Sequence, residues 1–423
     1  MTLNRTRRLG LGMSLCVALL APNTLLAQAQ KTIELWTFLD PTQDNSRSKA
    51  LKHVISTFEA ANPTIKVKAS VIQWQEISPQ LLRGARAGRV PDVVMLYSPN
   101  LQTHIAAGTL GALDDQIAKT SPANDLVTFP EAKDAKGQTF AVPWEMRVHG
   151  VMYRKDLLDK AGLPLPKTLP EMVEVAGKLG AEGRIGMGLG FKSSNPDAGM
   201  AWFIPTAVSM GAKIIKDDGT PEFNTPPMVR LMSLIHDMVH KQKILTLDAA
   251  LLGDSEVQQF AEGGRTVFIA KATHRLQFIR EKSGLGDNYQ MMEPVGLDPK
   301  VKAPAFVSGW TLGVPKASPN RDAALKLVAH WTSAEMQLFQ ATEAGYLPVR
   351  RSIATSPALA KSPHVGWALE YAAQNPLKFN WPNNPDFLNA TLARAVEQVV
   401  SNKATPAEAL AAAEKAYRAG AKP

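Results

Sequence analysis

Gly88-Arg89-Val90-Pro91-Asp92-Val93-Val94-Met95-Leu96-Tyr97 is the stretch that decides the fold class. Val93–Tyr97 is an unbroken apolar run with no polar alternation. A strand without a polar face is covered on both sides, as in a parallel sheet flanked by crossover helices. Upstream, Thr32–Trp36 reads as a short strand, and Leu51, Val54, Ile55 and Phe58 follow at helical spacing. Ile65–Val71 alternates as a strand and Ile77–Ala87 reads as a helix. Strand and helix in turn imply an α/β sheet with crossover connections.

The pattern then restarts. Thr139–Pro143 reads as a short strand ending at its proline, and Val151–Tyr153 opens a second series. Helices are predicted at about Asp156–Ala161, Thr168–Leu179 and Pro226–Lys241. Lys213–Phe223 carries an Asp-Gly turn between apolar stretches, the signature of a hairpin. Arg265–Ala270 is a predicted strand, and Phe306–Val314 a strand broken by Gly309. Asn320–Thr332 and Ser333–Glu343 read as consecutive helices, with Ser333 as N-cap between them. Gly345 supplies a C′ glycine, followed by Pro348. Thr405–Ala419 is a final Ala-rich helix.

At the N-terminus, Arg5, Arg7 and Arg8 precede the apolar run Leu9–Ala21, and Ala27-Gln28-Ala29 offers a small-x-small cleavage site. That is the layout of a secretory signal peptide over residues 1–29, too short in its apolar part to serve as a membrane anchor. Thr6-Arg7-Arg8 resembles a twin-arginine signal; the general secretory route is the alternative. Cys16 follows Leu15, where a lipobox wants a small residue, so it is read as part of the removed peptide. With almost no spacer between Gln30 and the first strand, a free periplasmic protein is expected.

The chain has 423 residues and a formal net charge of +9. Three arginines and no acidic residue lie in 1–29, so residues 30–423 carry +6, spread without a run of five like charges. That argues against nucleic acid or an anionic membrane as partner. Cys16 is the one cysteine, so the remainder has no disulfide, thiolate metal site or thiol nucleophile. Residues 30–423 are enough for two domains.

Catalytic signatures are absent: there is no Gly-x-Ser-x-Gly elbow, phosphate-binding loop or dinucleotide fingerprint. Asp114-Asp115 and Asp217-Asp218 are adjacent in turns and would not converge on one bond as a glycosidase pair must. His236 and His240 share a helix face at a zinc-site spacing. However, a zinc protease would want Glu where Asp237 stands, and Leu231, Leu234, Ile235 and Met238 make the stripe of an ordinary surface helix. No cofactor and no metal are expected. A secreted hydrolase is the rival class.

Several segments, in order, resemble the extracellular solute-binding proteins of ABC importers, specifically the maltose-binding-like sugar receptors. They are Phe58–Pro63 with Ile65–Val67; Gly88–Val94; Ala107–Leu110 with Leu113-Asp114; Tyr153–Leu157 with Lys160–Leu163; Phe260–Arg265; Ser308–Trp310; and Gly345–Arg350. The resemblance implies a two-lobed α/β periplasmic-binding-protein fold of type II-like topology, its lobes joined by crossing hinge segments. It sets crossings near Ala141–Trp144, Phe306–Val314 and Tyr346–Arg350. The N-terminal lobe would comprise 30–142 plus 312–346, and the C-terminal lobe 143–311 plus 347–423. A ligand would sit in the interlobe cleft, and closure would be a hinge motion. The chain would be a monomer working with the permease subunits.

A sugar presents hydroxyls and an apolar C–H face, so its site needs aromatic platforms beside polar donors and acceptors. By resemblance Asp40 is a hydroxyl-binding carboxylate, although it also reads as a turn residue before Pro41. Trp74 suits stacking or core packing alike; Tyr97 and Asn100 end the buried strand. Trp144, Glu145 and Arg147 follow the first crossing, with Glu145 or Arg147 the favoured contact. His274 and Arg275 stand where the family often carries a tryptophan, which favours a small or anionic ligand. Gly309 precedes Trp310, the leading candidate for a stacking aromatic. Tyr346 and Arg350 complete the set, Arg350 having the alternative of pairing with a carboxylate of its lobe. A carbohydrate or polyol is the expected ligand. The alternative is a phosphorylated polyol, such as glycerol phosphate or a glycerophosphodiester, clamped by Arg147, Arg275 and Arg350.

Overall fold

A computed structural model describes residues 1–2, 30–122, 125–180, 183–377, 382 and 385–420. The expected signal peptide therefore lies, apart from its first two residues, outside the described residues. Among the described residues no helix is long and apolar enough to cross a membrane.

Ten strands carry the architecture: β1 Lys31–Thr37, β2 Ile65–Val71, β3 Val93–Tyr97, β4 Ala141–Arg154, β5 Ile185–Gly188, β6 Ile214–Ile215, β7 Pro221–Glu222, β8 Thr266–Ala272, β9 Tyr289–Met292 and β10 Val307–Gly313. β1 pairs in parallel with β2 and β3, as the apolar run predicted, and every residue of β3 is buried. β10 then runs antiparallel between β3 and the first half of β4. The second half of β4 pairs with β8 and β9, and β8 pairs in parallel with β5. Two sheets thus share one strand.

That sharing corrects the sequence reading. Thr139–Pro143 and Val151–Tyr153 are not separate strands: Ala141–Pro143 of the first and all of the second belong to one element of 14 residues, β4. Pro143 does not end it, because the ladder is already irregular there. Trp310 pairs with Glu145 and Thr311 with Pro143, leaving Trp144 as the extra residue of a bulge. Nor does Gly309 break β10. A Cβ at Gly309 would lie 2.2 Å from the Glu145 carbonyl oxygen and 2.6 Å from the Phe129 ring. Glycine here lets two strands and a ring approach closely.

Two apolar cores flank the shared strand. The first gathers Ile33, Leu35, Val54, Phe58, Leu96, Trp144, Leu327 and Trp331; the second gathers Phe203, Met232, Ile235, Phe268, Leu392 and Val396. The molecule is a two-lobed α/β protein whose lobes are joined by crossing strands. Leu347, Val349, Leu359, Val365, Ala368 and Tyr371 pack in the first core. The sequence division had assigned them to the second lobe. Arg350 holds this segment back, buried and paired with Asp125 on the first lobe at 2.7 Å. We therefore propose lobe boundaries of about 30–148 plus 305–377, and 149–304 plus 385–420.

Candidate functional site

β3 ends against the middle of the crossing strand β10, with Tyr97 opposite Trp310. A crevice at the carboxyl ends of parallel strands is where α/β folds place ligands. Here it holds two adjoining chambers. The larger, about 260 Å³, is lined by Trp74, Tyr97, Pro99 and Asn100 from the first lobe. Gln75, Phe306 and, from the second lobe, Ser193–Asp197, Asp386, Asn389 and Ala390 complete its lining. The smaller, about 70 Å³, is lined by Phe38, Arg47, Arg147, Asp254, Ser255, His274, Arg275 and Trp310. Trp74, Tyr97, Asn195 and Asp197 belong to both.

The aromatic wall is mutually packed. The Trp310 ring lies 4.1 Å from Phe38, 5.5 Å from Tyr97 and 6.4 Å, edge-on, from Trp74. The Arg147 guanidinium sits 5.7 Å from the Trp310 ring, a cation–π contact. Beneath them Glu145, fully buried, accepts from Arg147 Nε at 2.9 Å and from Arg47 at 3.3 Å. Arg47 also donates to the Tyr346 hydroxyl at 2.8 Å.

The opposite wall is polar. Asp197, Asp254 and Asp386 each stand in the first turn of a helix: Asp197–Ser209, Asp254–Glu262 and Pro385–Val400. Carboxylates are favoured at helix N-termini by the macrodipole. Even so, burial and then the charge of Asp254 push the Asp197 carboxyl up to about 6. Asp254 is paired with the buried Lys271. Arg275, whose pKa burial and Arg47 lower to about 10, has neither hydrogen bond nor ion pair among the described residues. Burial also holds His274 well below its ordinary value, so its ring is neutral. Both His274 ring nitrogens are buried without a partner, as are Trp310 Nε1 and Asn389 Oδ1. Buried polar atoms are usually satisfied; these four line the crevice, and others lie away from it, as at Trp144, Trp202 and His364.

Of the residues expected from sequence, Trp74, Tyr97, Asn100, Arg147, His274, Arg275 and Trp310 line the chambers. The others do not line these two chambers. Asp40 closes a local turn, accepting from the Thr42 amide at 2.9 Å and hydroxyl at 2.7 Å. Trp144 is buried behind the site, its ring 5.4 Å from Trp331 and 5.3 Å from Tyr346. Glu145 and Tyr346 hold arginines rather than face the crevice, Gly309 permits the strand crossing, and Arg350 is tied to Asp125. Phe38, Arg47, Asn195, Asp197, Asp254, Ser255, Asp386 and Asn389 went unpredicted. One signal was available: Asn-Pro-Asp occurs at both 195–197 and 384–386, a proline-led helix start with an acid behind it.

Residues 53–366 match the family model described as bacterial extracellular solute-binding protein. The chain belongs to this family. Against curated relatives from Brucella abortus and Escherichia coli the chain spans about half of their length, 46% and 48%. The mannitol-binding protein of Pseudomonas aeruginosa is 24% identical over 330 residues, covering 76% of this chain and 72% of that one. Among solved structures, maltose-bound MalE3 of T. maritima superposes with a TM-score of 0.79 at 22% identity, over 92% of this chain and 99% of the other. UgpB of Mycobacterium tuberculosis with glycerophosphocholine gives 0.80 at 20%, over 92% and 98%. At these identities the superpositions speak for the fold.

In this solute-binding protein the paired histidines have a structural task. His236 Nε2 meets Asn402 Oδ1 at 2.8 Å and His240 Nε2 meets the Val400 carbonyl at 2.8 Å. Both nitrogens are thereby spent on the turn after the helix Pro385–Val400. Among the described residues no group of three or more His, Cys, Asp or Glu is arranged for a metal.

Proposed function

We propose that the protein is the periplasmic receptor of an ABC importer, binding one small carbohydrate or polyol between its lobes and presenting it to the permease. The carrying observation is the larger chamber. Trp74 and Tyr97 offer apolar faces to C–H groups, and Asn100, Asn195, Asp197 and Asn389 offer hydrogen-bonding groups from both lobes. A ligand touching both lobes binds the closed form better and shifts the hinge equilibrium toward it. The volumes, about 260 and 70 Å³, sit at the low end of ligand pockets and suit a single ring or a short polyol. The relative named for mannitol supports the same class. No residue here needs to be a catalyst, and the bound molecule is released unchanged.

A three-arginine phosphate clamp is not supported. Arg350 is paired with Asp125, and Arg147 with Glu145; Arg275 alone of the three is uncommitted. Isothermal titration calorimetry against hexoses, pentoses, hexitols, pentitols and sugar acids tests the receptor reading. Saturable one-to-one binding with the ligand recovered intact is the expected result. No binding across the panel overturns it, and recovery of a hydrolysed product restores the enzyme alternative.

A further inference from the structure

The smaller chamber is built for acceptor atoms that the protein does not supply. Three of its lining residues hold hydrogens with no partner among the described residues: Arg275 in its guanidinium, Trp310 at its indole N–H and the neutral His274 at one ring nitrogen. His274 is 94% and Trp310 98% buried, so bulk water does not satisfy them freely. Two of the carboxylates nearby are committed elsewhere: both Glu145 oxygens serve Arg47 and Arg147, and Asp254 serves Lys271. Asp197 lies 3.4 Å from the Tyr97 hydroxyl, whose nearer partner is Ser308 Oγ at 3.0 Å.

Charge leads to the same ligand. Arg47, Arg147 and Arg275 line the recess of about 70 Å³ with Asp197 and Asp254, one more positive charge than negative. An ion inside a protein needs a counter-charge; Arg275 feels Asp254 and Glu145 at a distance but is in ion-pair contact with neither. A monoanion balances the recess. A phosphate monoester carries about 1.5 to 2 negative charges and would overshoot beside Asp197. A phosphodiester would need room for a substituent on each side.

We infer that the solute is a sugar acid, an aldonate or hexuronate, whose carboxylate enters the smaller chamber against Arg275 while its polyhydroxy body occupies the larger one. The inference rests on the receptor reading and assigns the charge and orientation of its ligand. A planar carboxylate accepts two parallel bonds from one guanidinium. Its remaining lone pairs take the Trp310 and His274 hydrogens, and the other His274 nitrogen accepts from the neighbouring hydroxyl.

Matched pairs test it on the wild-type protein by calorimetry and by tryptophan fluorescence. The pairs are gluconate against glucitol, glucuronate against glucose and galacturonate against galactose, with glycerol 3-phosphate and glycerophosphocholine as further arms. At least one acid should bind about 10- to 100-fold tighter than its neutral partner. Arg275→Gln should remove that preference and Arg275→Lys should keep part of it; should Arg275→Gln not fold, the wild-type pairs still decide. Neutral partners binding equally or better overturns the inference and leaves the receptor reading standing. So does binding of the phosphorylated compounds in preference to every acid. No binding by any compound overturns both.

Discussion

The two walls of the crevice are built on opposite terms. On the first, Phe38, Trp74, Tyr97 and Trp310 pack on one another over the buried Glu145 with its two arginines, and one loose end remains, Trp310 Nε1. On the second, Asn195, Asp197, Asp254, His274, Arg275 and Asn389 face the same space, and several of their polar atoms lack partners. Apolar surface is satisfied by any good neighbour, so a stacking wall can be finished during folding. Polar groups demand particular partners, and those left open cost stability until a ligand arrives. The first wall should therefore couple binding to stability, and the second should separate them.

The strongest way to break this contrast lies under the first wall. Glu145→Ala strands Arg47 and Arg147 without their buried counter-charge, and should cost about 3–5 kcal/mol in urea unfolding. Trp310→Ala should cost a similar ~3–5 kcal/mol and abolish solute binding with it. If either variant loses binding while keeping wild-type stability, the coupling is wrong. On the second wall, His274→Leu exchanges two unsatisfied buried nitrogens for methyl groups. Its stability should stay within about 1 kcal/mol of wild type while solute affinity falls roughly tenfold. A large loss of stability there would erase the difference between the walls.

The smallest effect is electrostatic. Asp197 titrates near 6 in the folded chain against an ordinary 3.8, so the folded state binds the extra proton between those values. Its contribution favours folding below about pH 4 and is lost as pH rises through 6. Asp197→Asn should flatten that part of the stability–pH curve and raise solute-free stability at pH 7 by on the order of 1 kcal/mol. Thermal melts between pH 4 and 8 measure it; an unchanged slope would show that Asp197 is not held uncomfortably in its charged form.

What the sequence disclosed follows the same division. β2 and β3 are read to the residue because alternation and apolar runs are local patterns. The Asp197–Ser209 helix escaped because it is apolar on most sides and contains Pro205, so no amphipathic stripe announces it. Pro143 reads as a strand end, and only the partner strand reveals that it sits at a bulge. Most of the aromatic wall was legible, since Trp74, Tyr97 and Trp310 stand out at or beside predicted strands, while Phe38 did not. Asp197 and Asp254 did not, since acids at helix starts are ordinary on a surface, and only the second sheet's position turns these into a cleft. Arg350 and Arg275 look alike in sequence. A carboxylate 225 residues away separates a structural ion pair from an open charge.

The bulge at Trp144 also sets parity. Side chains along a strand point alternately to its two faces, and one surplus residue inverts the alternation for everything beyond it. In β4 that surplus falls inside the span that pairs with β10, just before Glu145 and Arg147 under the crevice and upstream of the span that pairs with β8 and β9. Deleting Trp144 would close the bulge, with Pro143 still opposite Thr311 and Glu145 still opposite Trp310. A residue lost elsewhere in β4 meets no such surplus, and the one-residue slip would turn the side chains beyond it to the other face. One tryptophan is therefore the slack in a strand that carries two sheets along a single chain.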